Sequence, residues 1–94
     1  PHKQSENKMD YTFPAALEPF MILYHNNLIT QSNPLWEPLN NMVIFKSDLD
    51  DFYWYLDGAT DEAWIKHISQ CIEDTKAELD KMITTFLSTN KMGQ

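Results

Sequence analysis

Seven residues, Ile65, Ile68, Ile72, Thr75, Leu79, Met82 and Phe86, recur at alternating intervals of three and four and commit that part of the chain to one long amphipathic helix. Trp64, Cys71 and Ile83 flank this seam. The apolar face is therefore wider than a minimal coiled-coil stripe and reads as a surface that packs on a core. Thr60 is the expected N-cap, with Asp61 and Glu62 behind it where the helix dipole favours negative charge. Glu62 and Lys66 form a correctly ordered i,i+4 pair. A helix over 61–89 spans about 43 Å. That exceeds the roughly 30 Å diameter expected of a compact domain of this size. Either the helix breaks near Thr84-Thr85, or its end projects and packs on a second copy.

The rest of the chain must cover that seam. Residues 1–10 are polar and unpatterned and read as a flexible arm, 11–90 as a single helical domain, and 91–94 as a frayed tail. Pro14-Ala15-Ala16-Leu17 resembles a first helical turn, and Pro19 starts a new helix or kinks the first. Phe20-Met21-Ile22-Leu23-Tyr24 is apolar on every side, which fits a buried helix or a buried strand. His25-Asn26-Asn27 has turn chemistry, but Leu28 and Ile29 continue the helical spacing, which favours helix. Asn33-Pro34, Pro38 and Asn40-Asn41 make 31–41 a connecting segment, with a turn of helix at 34–37. Met42-Val43-Ile44-Phe45 is a short strand or an apolar lead-in to the next helix. The expected fold is mainly α, a small helical bundle with one long C-terminal amphipathic helix. The alternative is α+β, with a short hairpin from 20–24 and 42–45.

The best candidate for a working surface lies between Ser47 and Glu62. Six carboxylates stand there, Asp48, Asp50, Asp51, Asp57, Asp61 and Glu62, with no base and with the aromatic run Phe52-Tyr53-Trp54-Tyr55 among them. Leu49, Phe52, Tyr53 and Leu56 form a helical apolar stripe, which predicts a short helix near 48–57. Ser47 is its expected N-cap, Asp48, Asp50 and Asp51 its first turn, and Gly58 its left-handed terminal residue. At about 100° per residue Trp54 falls near 140° from Leu49, between Asp50 and Asp51, and Tyr55 borders Asp48. Trp54 is then either an interface anchor ringed by carboxylates or a side chain packed against another part of the chain, such as the N-terminal segment. The partner-binding set expected from the sequence is Asp48, Asp50, Asp51, Trp54, Tyr55, Asp57, Asp61 and Glu62.

Charge bounds the partner. The 94 residues carry a formal charge of −7, and all seven cations are lysine. Direct binding to nucleic acid or to an anionic membrane is not expected, because phosphate contacts require clustered cations. A single cysteine, Cys71, permits no intrachain disulfide, and no apolar run approaches the roughly 18 residues of a membrane span. A cytoplasmic location is the expectation. His67 and Cys71 are i,i+4 and could share a metal with His25, but no CxxC or HExxH accompanies them, so no metal site and no cofactor are expected. Adjacent acids such as Asp50/Asp51 and Glu73/Asp74 point about 100° apart on a helix and do not converge on one substrate atom. No nucleophile, base and orienting group come together in the sequence, which argues against an enzyme.

Two function classes remain. One is a small acidic binder that masks a basic surface of a partner protein, of inhibitor, antitoxin or immunity type, with nucleic-acid mimicry where that partner binds nucleic acid. The other is a helical assembly or adaptor protein, a homodimer for example, that self-associates through the 65–86 seam.

Overall fold

The computed structural model of the chain describes residues 11–90, so the expected arm (1–10) and tail (91–94) lie outside the described residues. A single 3₁₀ turn at Ala15–Leu17 leads into helices α1 (Glu18–His25), α2 (Trp36–Asp57) and α3 (Glu62–Thr89). The protein is mainly α and a small helical bundle; no strand occurs among the described residues. The α+β alternative is corrected. Segment 20–24 lies within α1 and segment 42–45 lies inside α2. In a strand Met42 and Ile44 would share a face, yet Met42 is buried and Ile44 is 48% exposed. Helical spacing instead aligns Leu39, Met42 and Leu49 on the core.

Helix α2 therefore begins much earlier than its composition implies, and 36–41 is helix rather than connection. Pro38 is the third helical residue, where the backbone nitrogen has no intrahelical acceptor to lose. Asn33 organises the entry: its carbonyl accepts from Trp36 N at 2.9 Å and its side-chain oxygen from Leu35 N at 2.8 Å. Ser47 is consequently an exposed interior residue and not an N-cap. Gly58 has φ −104°, ψ 7°, so the expected left-handed residue is absent there. The left-handed backbone belongs to Asn27, φ 61°. Asn27 N donates to Tyr24 O at 3.1 Å and Leu28 N to Leu23 O at 2.9 Å. This pair of bonds closes a Schellman motif and stops α1 at His25, although Leu28 and Ile29 continue its apolar spacing.

Four residues, Gly58 to Asp61, join α2 to α3, so the two helices form an antiparallel hairpin. Asp61, not Thr60, is the N-cap of α3: its backbone is extended and its Oδ2 accepts from Trp64 N at 2.9 Å. Helix α3 runs unbroken through Thr84-Thr85 for 28 residues. Its length is absorbed by an elongated molecule, 46 × 24 × 22 Å, rather than by a break. The seam faces inward, with Ile68, Ile72, Leu79, Ile83 and Phe86 buried and Ile65, Thr75 and Met82 half-buried.

Among the described residues, the N-terminal segment closes only one end of the hairpin. Phe20 meets Phe86 edge-on, with ring centroids 4.9 Å apart. Leu17 is fully buried, the Tyr24 hydroxyl donates to Asn40 Oδ1, and the Tyr11 hydroxyl donates to Asp80 Oδ1 at 3.2 Å. Burial of the Tyr11 phenol, with the Asp80 carboxylate beside it, pushes its pKa from 10.0 up to about 12. At the other end no residue from Asp50 to His67 is buried. The hairpin tip is two helices thick, and Phe52, Tyr53, Leu56 and Ile65 fill it without being sealed from water.

Candidate partner-binding surface at the hairpin tip

All eight residues of the expected set, Asp48, Asp50, Asp51, Trp54, Tyr55, Asp57, Asp61 and Glu62, are exposed. Trp54 is the most exposed of the large hydrophobics at 75%, and its neighbour Tyr55 is 45% exposed. Packing of Trp54 under the N-terminal segment is thereby ruled out for the described residues. On α2 the stripe of Leu49, Phe52, Tyr53 and Leu56 consumes one side, and the opposite arc carries Asp50, Trp54, Asp51, Ile44, Tyr55 and Asp48 in angular order.

The surface also includes residues that the sequence reading left out. Trp64, 44% exposed, projects from the first turn of α3 beside the end of α2. Its ring lies 6.5 Å from that of Tyr55, which in turn lies 5.7 Å from Trp54. His67 extends the row, its imidazole 5.8 Å from the Trp64 ring and tilted by 31°. Four rings thus run in succession across the tip, from α2 onto α3. The available signal was the spacing of Trp64, His67 and Cys71, which places all three on the flank of the seam, about 80–140° from Ile72. What the spacing could not give was the hairpin that sets Tyr55 against Trp64.

The carboxylates surround this row unequally. Asp50 is held by Lys46, whose Nζ lies 2.9 Å from Oδ2 and 3.2 Å from Oδ1, the one ion pair among the described residues. The expected Glu62–Lys66 pair does not close. Asp61 has its cap bond to Trp64 N, which ties an acidic residue and the indole of the row into one local unit. Asp48, Asp51, Asp57 and Glu62 remain open to solvent. In a helix that starts at Trp36, Asp48, Asp50 and Asp51 are not first-turn residues, and Asp57 is the last residue of all. Negative charge near a helix C-terminus opposes the macrodipole, by about 0.3–1 kcal/mol for a group in the last turn. Helix stability therefore accounts for Asp61 and Glu62, at the start of α3, but not for Asp57.

Elsewhere the chemistry is sparse. Cys71 Sγ lies 3.7 Å from His67 Nε2, a contact within one helix. His25 is not brought to them, and among the described residues no three His, Cys, Asp or Glu side chains cluster as metal ligands would. No described helix is long and apolar enough to cross a membrane. No protein-family model, curated protein or solved structure matches this chain.

Proposed function

We propose that the protein is a small non-enzymatic binder whose hairpin tip masks a basic surface of a partner protein. The observation that carries this reading is a row of exposed rings standing among carboxylates of which, among the described residues, only Asp50 is ion-paired, at the end of the bundle away from the described part of the N-terminal segment. The acids steer a cationic partner and displace whatever anion it normally holds, nucleic acid in the case of a nucleic-acid-binding partner. The indoles then supply residence time, since Trp and Tyr dominate interface energetics once desolvated. Self-assembly through the 65–86 seam is the second reading. Ile68, Ile72, Leu79 and Phe86 of that seam are already buried within the chain, so the tip is the better-supplied surface.

The test begins with the immobilised chain and a salt gradient that elutes its partners. Binding kinetics of the released protein with Trp54→Ala and with Asp50→Lys/Asp51→Lys then separate the two roles. Trp54→Ala raises the dissociation rate. The double reversal slows association by about tenfold at low salt and less at high salt. A partner that binds both variants as it binds the parent chain, at either salt, removes the masking role.

A further inference from the structure

We infer that the ring row is a receptor for arginine side chains, so that the partner presents an arginine-rich rather than a lysine-rich segment to the tip. This inference rests on the masking role and narrows it to a side-chain chemistry. Trp54, Tyr55 and Trp64 are all exposed and succeed one another at centroid separations of 5.7 and 6.5 Å, their planes inclined by 70° and 59°. The face of an aromatic ring attracts a cation within about 6 Å, and tryptophan does so most strongly. Carboxylates stand on both sides of the row: Asp50 and Asp51 flank Trp54 on α2, and Asp57, Asp61 and Glu62 border the turn before Trp64.

Such a surface discriminates between the two cationic side chains. A guanidinium can lay its plane on an indole while its edge donates to a neighbouring carboxylate. An ammonium is a compact, strongly hydrated point charge that must shed water to approach the ring and has no planar edge to share. The chain contains no arginine of its own to occupy the row. Lys46 lies two turns from Trp54 along α2 and engages Asp50, leaving Asp51, Asp57 and Glu62 without an ion pair among the described residues. A second copy is a poor occupant, because two such tips would bring like charge together on chains that each carry −7.

The experiment titrates the full chain with oligoarginine and oligolysine peptides of equal length and blocked ends, by calorimetry and indole fluorescence. Oligoarginine binds tighter by about fivefold or more, within the roughly 2- to 30-fold that a cation–π contact provides. Trp54→Leu/Trp64→Leu keeps apolar surface without the ring quadrupole, and it brings the two peptides to equal affinity. Trp54→Phe/Trp64→Phe retains part of the preference. Circular dichroism establishes that each variant is folded. Equal, salt-sensitive binding of both peptides by the parent chain overturns arginine recognition and leaves masking by charge in place. Failure of both peptides to bind at low salt overturns both. A preference that survives the leucine variant, or self-association of the chain that the leucine variant abolishes, also overturns the inference.

Discussion

Replacing Trp54 with alanine separates a surface indole from a core one by magnitude alone. Full burial of an aromatic side chain removes about 150–250 Å² from water. With Trp54 75% exposed, a quarter of that, about 60 Å² at most, is lost on truncation. At about 25 cal/mol per Å² the cost is about 1.5 kcal/mol, an upper estimate. Alanine returns about 0.5 kcal/mol through its better helix propensity, so the net loss is about 1 kcal/mol. Leu79, fully buried at 0% exposure, provides the contrast: Leu79→Ala costs about 2–5 kcal/mol. Urea unfolding followed by far-ultraviolet circular dichroism gives both values on one scale, and it avoids using the deleted indole as its own reporter. The same truncation removes about 180 Å² that a partner would cover, a ceiling of about 4.5 kcal/mol, of which interface anchors commonly realise 2 or more. Trp54→Ala therefore weakens partner binding about 30-fold or more while the fold is nearly kept. A stability loss of 3 kcal/mol or more, matching Leu79→Ala, would refute the reasoning by making the indole part of the core.

Two further outcomes follow from the ends of the hairpin. Asp61→Ala costs about 0.5–2 kcal/mol by removing the N-cap of α3, whereas Asp61→Asn retains the cap and loses only charge. Thermal melts that rank both variants alike would remove the capping role. Tyr11 titrates in the folded chain at about 12, above its unfolded value of 10.0, so its contribution to stability is complete below about pH 10 and is lost as pH rises through about 12. Tyr11→Phe should flatten that alkaline part of the urea-midpoint profile, and an unchanged profile would detach Tyr11 from it.

The long helix was legible because its seam repeats at a fixed interval and is wide enough to specify one inward face, as the burial of Ile68, Ile72, Leu79 and Phe86 bears out. The orientation of Trp54 was legible for the same reason, since Leu49, Phe52, Tyr53 and Leu56 fix the rotation of α2. Its starting point was not. Prolines and asparagines over 33–41 carry the composition of a loop, and Pro38 is harmless only because Asn33 begins the turn early enough to put it in the first, unbonded amides. The end of α1 failed in the opposite direction: apolar spacing through Leu28 and Ile29 said helix, and the left-handed Asn27 stops it. Both errors concern capping, where a local hydrogen bond outweighs a pattern. The row of rings failed for a third reason, because Tyr55 and Trp64 meet only once a tertiary turn has formed.

The early start of α2 also changes what the acids mean. With Ser47 as a cap, Asp48, Asp50 and Asp51 would stabilise a first turn and need no further role. With the helix beginning at Trp36, they lie in its C-terminal half, and Asp57 sits against the negative end of its dipole. Among the described residues, the same end lacks the covering segment that buries Phe86 under Phe20 at the other. Charge that opposes the helix and rings that the bundle leaves wet thus coincide, at a tip that contributes least to the core. With Leu17, Leu79 and Phe86 fully or almost fully buried, the tip's part in folding is chiefly the Asp61 cap. Substitutions there, apart from the cap residue Asp61, should move affinity and leave the unfolding midpoint nearly fixed, whereas substitutions at Leu79 or Phe86 should do the reverse. Variants at the tip that lost stability and affinity in proportion would show that the two ends are one cooperative unit and that the surface has no independent role.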